Sequence, residues 1–156
     1  MATPMKSHGM KIYIGTQTGA AASESSWTLI GGAYATGDAF GVTYGSVDGT
    51  SFDDAYKQMY KTVPDVGGLD LSIRRNIGDA GQVALKAAAL DKTQVPYNFK
   101  ITLDDDAAST GDNPTKWTVK ARVMSFETGL GNVNSLVDLK AKLVFTEAPV
   151  ETAASA

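Results

Sequence analysis

Residues 120–145, KARVMSFETGLGNVNSLVDLKAKLVF, alternate apolar and polar side chains on either side of a single glycine-rich turn. Period-two alternation sends successive side chains to opposite faces of a sheet, so the stretch reads as two long antiparallel strands joined at 129–135. Over 117–126, Trp117, Val119, Ala121 and Val123 turn inward and Thr118, Lys120 and Arg122 turn away. Over 138–146, Leu139, Ala141, Leu143 and Phe145 are buried opposite Lys140 and Lys142. No recognisable catalytic group interrupts either strand, which leaves a two-faced wall whose purpose the rest of the chain must explain.

Two more segments alternate in the same way. Residues 69–75 place Leu69, Leu71 and Ile73 against Asp70, Ser72 and Arg74, and residues 95–103 place Val95, Tyr97, Phe99, Ile101 and Leu103 against Asn98, Lys100 and Thr102. Shorter candidates at Met10–Ile14, Trp27–Ile30 and Phe40–Tyr44 bring the expectation to about seven strands, a half-solvated antiparallel sheet or two packed together. One segment, DAGQVALKAAAL, reads as a helix over about 79–91, with Asp79 as N-cap and Val83, Ala87 and Leu90 as its apolar stripe. The predicted fold is mainly β, an antiparallel β-sandwich flanked by one α-helix. It occupies 10–147, between loose arms at 1–9 and 148–156. Within it, 45–66 is too long and too apolar for an idle connection, and FDDAYKQMY reads either as one or two helical turns or as an extended arm.

Composition narrows the function. A chain of 156 residues with 43% hydrophobic content can bury one ordinary core. The absence of cysteine excludes a disulfide framework, a cysteine zinc site and a thiol nucleophile. A formal charge of -3 provides no broad field for nucleic-acid phosphates. No run approaches the ~18 apolar residues of a membrane span, and MATPMKSHGMK lacks the apolar stretch of a secretory signal, so membrane insertion is not expected.

Motifs that could carry chemistry have simpler readings. GLGNVN opens like a dinucleotide fingerprint but has Asn134 where its last glycine would stand, and a strand follows it, so it reads as a turn. DDDAASTGDNPT resembles a calcium loop, yet Ala108, Ser109 and Thr115 occupy positions that need ligands or glycine. The single histidine, His8, lies in the N-terminal arm, where it cannot assemble a triad or a multi-histidine metal site. Carboxylate pairs such as Asp53 with Asp54, or Asp65 with Asp70, read as solvated surface acids. No catalytic residue, cofactor or metal is expected.

Residues 51–91, SFDDAYKQMYKTVPDVGGLDLSIRRNIGDAGQVALKAAALD, resemble the central signature of the major tail tube proteins of long-tailed bacteriophages. The matching positions are Ser51, Phe52, Asp54, Asp65, Gly67, Leu69, Leu71, Asn76, Asp79, Gly81, Gln82, Ala84 and Leu85. Arg74 and Arg75 depart from it, standing where that family is more often neutral or acidic. The resemblance implies six copies joined into a ring with a continuous inner β-barrel, and rings stacked into a hollow tube for phage DNA. It implies a virion protein assembled in the bacterial cytoplasm, with a tail-tip or baseplate initiator, a tape measure protein and a tail terminator as partners. Phe52, Asp54, Tyr56, Met59 and Tyr60 become candidates for intersubunit contact. Asp104, Asp105, Asp106, Asp138, Lys120 and Lys140 become candidates for the channel lining, acids masking lysines. The alternative is a monomeric ligand-binding module of carbohydrate type, with Trp27, Tyr34 or Tyr44 as stacking platforms.

Overall fold

The computed structural model describes residues 9–17, 26–37, 39–104 and 114–153. His8, Asp105, Asp106 and nearly all of the expected N-terminal arm lie outside them. The elements are β1 (Lys11–Ile14), β2 (Thr28–Leu29), β3 (Ala33–Thr36), β4 (Thr43–Asp48), β5 (Met59–Asp65), β6 (Gly68–Arg74), α1 (Ala80–Leu90), β7 (Tyr97–Thr102), β8 (Lys116–Gly129), β9 (Asp138–Phe145) and β10 (Val150–Thr152). The mainly β antiparallel architecture with one helix is as expected.

One eight-stranded sheet runs in the order β2-β1-β7-β8-β9-β6-β3, with β10 added on β8, and β4 and β5 form a separate two-stranded sheet. Strand β8 makes the large sheet continuous. Its first part, Lys116–Ala121, pairs with β7, and from Ala121 onward it pairs with β9. The long alternating run quoted above therefore serves both halves of the molecule, and a bulge between Val123 and Ser125 lets it bend between them. The inward faces meet in one core containing Ile12, Phe99, Val119, Leu69, Leu71, Ile73, Leu139 and Leu143, each no more than 2% exposed.

The helix lies against β8, β1 and β2, but not on the face expected. Gln82, Leu85 and Ala88 point into the molecule, whereas Val83 and Leu90 are exposed. Polar chemistry at its first turn fixes this rotation. Asp79 caps as predicted, accepting the Gln82 N–H at 3.0 Å, and the same oxygen accepts the Gly31 N–H at 3.1 Å. The fully buried Gln82 amide donates to the carbonyls of Gly31 and Arg74, both at 2.9 Å, and accepts the Asn76 N–H at 2.9 Å. A Cβ at Gly81 would overlap the Leu29 carbonyl oxygen and come within 2.6 Å of Ile30 Cα, so only glycine allows this approach. Asn76, Asp79, Gly81 and Gln82 thus form a structural knot that binds α1 to the β2–β3 turn and the end of β6.

Three strands have no counterpart in the sequence reading: β3, β5 and β10. Part of the expected C-terminal arm is β10, which pairs Val150 with Thr118 and Thr152 with Lys116. Phe40 is not in a strand. It stands edge-on to Trp117 and Phe145, with ring centroids 5.8 and 5.7 Å away. Val95, expected inside, is exposed.

Candidate functional site

The segment 45–66 is a β-hairpin rather than helical turns. Strands β4 and β5 pair with each other and with no strand of the large sheet, with Thr43 opposite Asp65, Tyr44 opposite Pro64 and Asp48 opposite Met59. Its root is fixed on both sides. Phe40 anchors the incoming chain on Trp117 and Phe145, and at the exit the Gly67 carbonyl accepts the Phe145 N–H at 3.0 Å.

The hairpin's connecting loop is shaped by its own polar groups. Asp48 Oδ1 accepts from the Thr50 hydroxyl at 2.6 Å and its N–H at 2.9 Å, and these bonds, the hydroxyl's first, hold the Asp48 carboxyl below its ordinary range. Thr50 Oγ1 in turn accepts the Gln58 N–H at 2.8 Å. Asp54 Oδ2 accepts the Ser51 N–H at 2.8 Å and its hydroxyl at 3.0 Å. Among the expected contact residues, Asp54 therefore shapes the loop, while four apolar side chains stand in solvent: Phe52 at 110% relative exposure, Tyr56 at 82%, Tyr60 at 57% and Met59 at 51%.

A second surface is the polar face of β6, β9 and the second half of β8. Cross-strand register sets Asp70 beside Lys142, Ser72 beside Lys140 and Arg74 beside Asp138, while Ser125 and Glu127 of β8 stand opposite Lys142 and Lys140. Arg74 and Asp138 form an ion pair at 2.8 Å. The Tyr34 hydroxyl donates to Asp138 Oδ2 at 3.3 Å, with the Arg74 guanidinium 4.1 Å from the centre of its ring. Acids and bases balance here: Asp70, Glu127 and Asp138 against Arg74, Lys140 and Lys142. Of the expected lining residues, the register brings Asp138 and Lys140 together on this face. Lys120 lies opposite Asn98, on the β7 side of β8, and Asp104 follows the end of β7 beside Gly9. Asp70, Arg74, Glu127 and Lys142 were missed as candidates, because only the pairing register reveals that they are neighbours.

The aromatic residues considered as sugar platforms each carry a cation on the ring. Lys61 Nζ lies 4.8 Å from the centre of Tyr44, Arg74 covers Tyr34, and Lys100 Nζ lies between Trp27 at 4.9 Å and Tyr13 at 4.5 Å. Burial, and secondarily the nearby Lys116, push the Lys100 ammonium below its ordinary pKa. Asp65 and Asp70 line one open depression with Lys142, in which Asp65 accepts the Gly67 N–H and Asp70 faces Lys142. Among the described residues no group of three His, Cys, Asp or Glu side chains could hold a metal ion.

The described surface thus combines a charge-balanced sheet face with a rooted hairpin whose apolar side chains stand in solvent. No protein-family model and no curated protein matches the sequence. Solved structures do match. A chain of the anti-feeding prophage baseplate superposes with a TM-score of 0.72 at 13% identity, covering 100% of both chains. The SPP1 tail tube chain gives 0.67 at 14% identity over 96% of this chain and 80% of its own. A chain from the tail of a GTA particle gives 0.62 at 15% identity over 92% of this chain and 96% of its own. At these identities the likeness is one of fold, shared with the SPP1 tail tube chain among others.

Proposed function

We propose that this chain is a major tail tube subunit, a structural protein that polymerises as stacked hexameric rings into a hollow tube for the passage of phage DNA. The observation that carries the reading is a tube-protein fold over nearly the whole chain that also projects an apolar hairpin into solvent. In the tube, Phe52, Tyr56, Met59 and Tyr60 lose their exposure by packing on an adjoining subunit, where aromatic and methionine side chains are favoured. The β6–β9–β8 face lines the channel, with Asp138 and Lys140 on its wall. Balanced charge suits a conduit, because a wall of lysines alone would retain DNA by releasing its counterions.

The partners in this reading are other copies of the chain, a tail-tip or baseplate initiator, a tape measure protein and a terminator, with phage DNA transiently in the lumen. Assembly takes place in the bacterial cytoplasm and the product resides in the virion tail. The function is geometric, with no catalytic step. Negative-stain electron microscopy of the purified protein tests it: rings or hollow tubes are expected, after a lag or on an initiator complex. A particle that stays monomeric at every salt concentration, with or without an initiator, overturns the reading.

A further inference from the structure

The loop that joins β4 to β5 opens on Asp48-Gly49, the one place in the chain where an aspartate or asparagine is followed by glycine. Glycine has no Cβ to shield its amide nitrogen, so that nitrogen can reach the carboxyl carbon of the preceding side chain. The reaction this allows needs no other reagent than water. The Gly49 nitrogen attacks Asp48 Cγ, an N–Cγ bond forms, and the amide proton leaves with the hydroxyl of the protonated carboxyl as water, closing a five-membered succinimide. Water then adds back. When the ring opens between the Asp48 main-chain carbonyl carbon and the Gly49 nitrogen, the chain runs on through the side chain as isoaspartate, with mass and oxidation state unchanged.

The closed hairpin obstructs each requirement of that step. The Gly49 N–H donates across the hairpin to the Gln58 carbonyl at 3.0 Å, which engages the proton that must leave and fixes the peptide plane. Bonds from the Thr50 hydroxyl and N–H keep the Asp48 carboxyl ionised, the form from which no hydroxyl can leave, and Lys57 Nζ stands 4.0 Å from its other oxygen. A Cβ at Gly49 would overlap the Tyr60 ring, so the glycine that creates the hazard is also the residue the packing requires. All of these contacts belong to the paired state, in which Asp48 stands opposite Met59. The hairpin is exposed and pairs with no strand of the large sheet, so it can part without unfolding the core.

We propose that Asp48 is a site of isoaspartate formation gated by the hairpin: it is protected while β4 and β5 are paired and reacts when their loop end parts. Isoaspartate adds one atom to the main chain and moves the carboxylate. The Asp48–Met59 pairing and the bonds from Thr50 then cannot re-form as they were. A hairpin left open therefore loses its shape for good, whereas a paired one keeps it. The proposal concerns the folded chain alone and does not depend on the tube reading.

The test incubates the full chain in mildly acidic buffer, beside the same chain held unfolded in guanidinium chloride. Isoaspartate at position 48 is followed by enzymatic methylation of isoaspartyl groups and by fragment-ion mass spectrometry. The folded chain should isomerise at least about tenfold more slowly, since the reaction then runs only through the open fraction. Thr50→Val removes the hydroxyl that bonds Asp48 and accepts from Gln58. Thr50 is exposed, so this variant should melt like the parent, and its rate should rise about fivefold, the factor carried by one net hydrogen bond. Hydrogen exchange at the Gly49 amide should rise by the same factor, which ties the chemistry to opening. The proposal is overturned if folded and unfolded chains isomerise alike, or if no isoaspartate forms at position 48 in the unfolded chain. It is equally overturned if the rate and the Gly49 exchange do not rise together in Thr50→Val.

Discussion

The side-chain amide of Gln82 donates to the main-chain carbonyl of Arg74 at 2.9 Å, tying the first turn of the helix to the end of a strand eight residues earlier. The same amide satisfies Gly31 and Asn76, so one fully buried side chain closes three main-chain valences. Replacing Gln82 by alanine leaves those part-buried groups without their partner, at a cost of up to ~1–3 kcal/mol each where water does not replace it. The expected loss is on the order of 3 kcal/mol, read as a lower urea midpoint at unchanged slope.

Gly81→Ala provides an independent probe of the same junction. Alanine improves helix propensity by about 1 kcal/mol, but its methyl would overlap the Leu29 carbonyl oxygen and crowd Ile30 Cα, both of them backbone. Overpacking of this kind costs ~1–3 kcal/mol, and the clash with rigid atoms places the net effect on the destabilising side. A variant that melts higher than the parent would show that the helix can slide off its seat.

The hairpin variant Phe52→Ala with Tyr56→Ala separates folding from assembly. Both side chains already stand in solvent, so monomer stability should change by no more than about 0.5 kcal/mol while tube yield collapses. Calorimetry and electron microscopy on one preparation check it. A loss of several kcal/mol in the monomer would instead mean that the hairpin folds back on its own sheet.

The charge of the proposed channel can be tested through its acids. Assembled parent tubes should not retain duplex DNA in a gel shift at moderate salt. Asp70→Asn with Asp138→Asn leaves Arg74, Lys140 and Lys142 less compensated on the same face, and should produce retention that weakens steeply as salt rises. Tight retention by the parent would remove the conduit role.

The end of the helix carries a pH signature. Asp91 accepts the Thr93 N–H at 2.9 Å, the Tyr97 hydroxyl at 2.9 Å and the Gln17 amide at 2.6 Å, and the Thr93 bond leads in holding its carboxyl below the usual value. Burial first, then Asp91, raises the Tyr97 phenol. The depressed Asp91 contributes stability above the unfolded carboxylate pKa of 3.8 that is lost as pH falls through its folded value. The raised Tyr97 contributes stability below pH 10.0 that is lost as pH rises through its own folded value. Asp91→Asn should flatten the acid limb of a stability-versus-pH curve below about pH 4, and an unchanged limb would dismiss these bonds as a source of stability.

The long strands were legible because burial on one face imposes alternation, as in Leu69, Leu71 and Ile73 or Leu139, Ala141 and Leu143. The hidden strands lack that imprint. β5 is exposed along its whole length, like its partner β4, so Met59–Asp65 carries no one-sided pattern, and its extended form arises from pairing with Thr43–Asp48. The helix was placed correctly but turned the wrong way, because Val83 and Leu90 outweigh Gly81 and Gln82 on any hydrophobic reading, whereas close approach and hydrogen bonding decided the rotation. The polar face could be read only in part. Asp138 and Lys140 were found as neighbours in sequence, but Asp70 and Glu127 join them through register, which single-chain periodicity does not encode.

The hairpin's irregularity has a kinetic consequence. Pro64 has no N–H to offer at its position opposite Tyr44, and the ladder slips between Tyr44 and Ser46. Lys57 and Lys61 add charge along the same strand and its approach. These are the devices that keep an open strand from recruiting stray chains. If the chain is a tube subunit as proposed, it can display Phe52 and Tyr56 and still offer a poor template for random strand addition, so spontaneous nucleation is expected to be slow. In the proposed tube, growth then waits for a starting surface, and the number of filaments follows the supply of starting complexes rather than the supply of subunits.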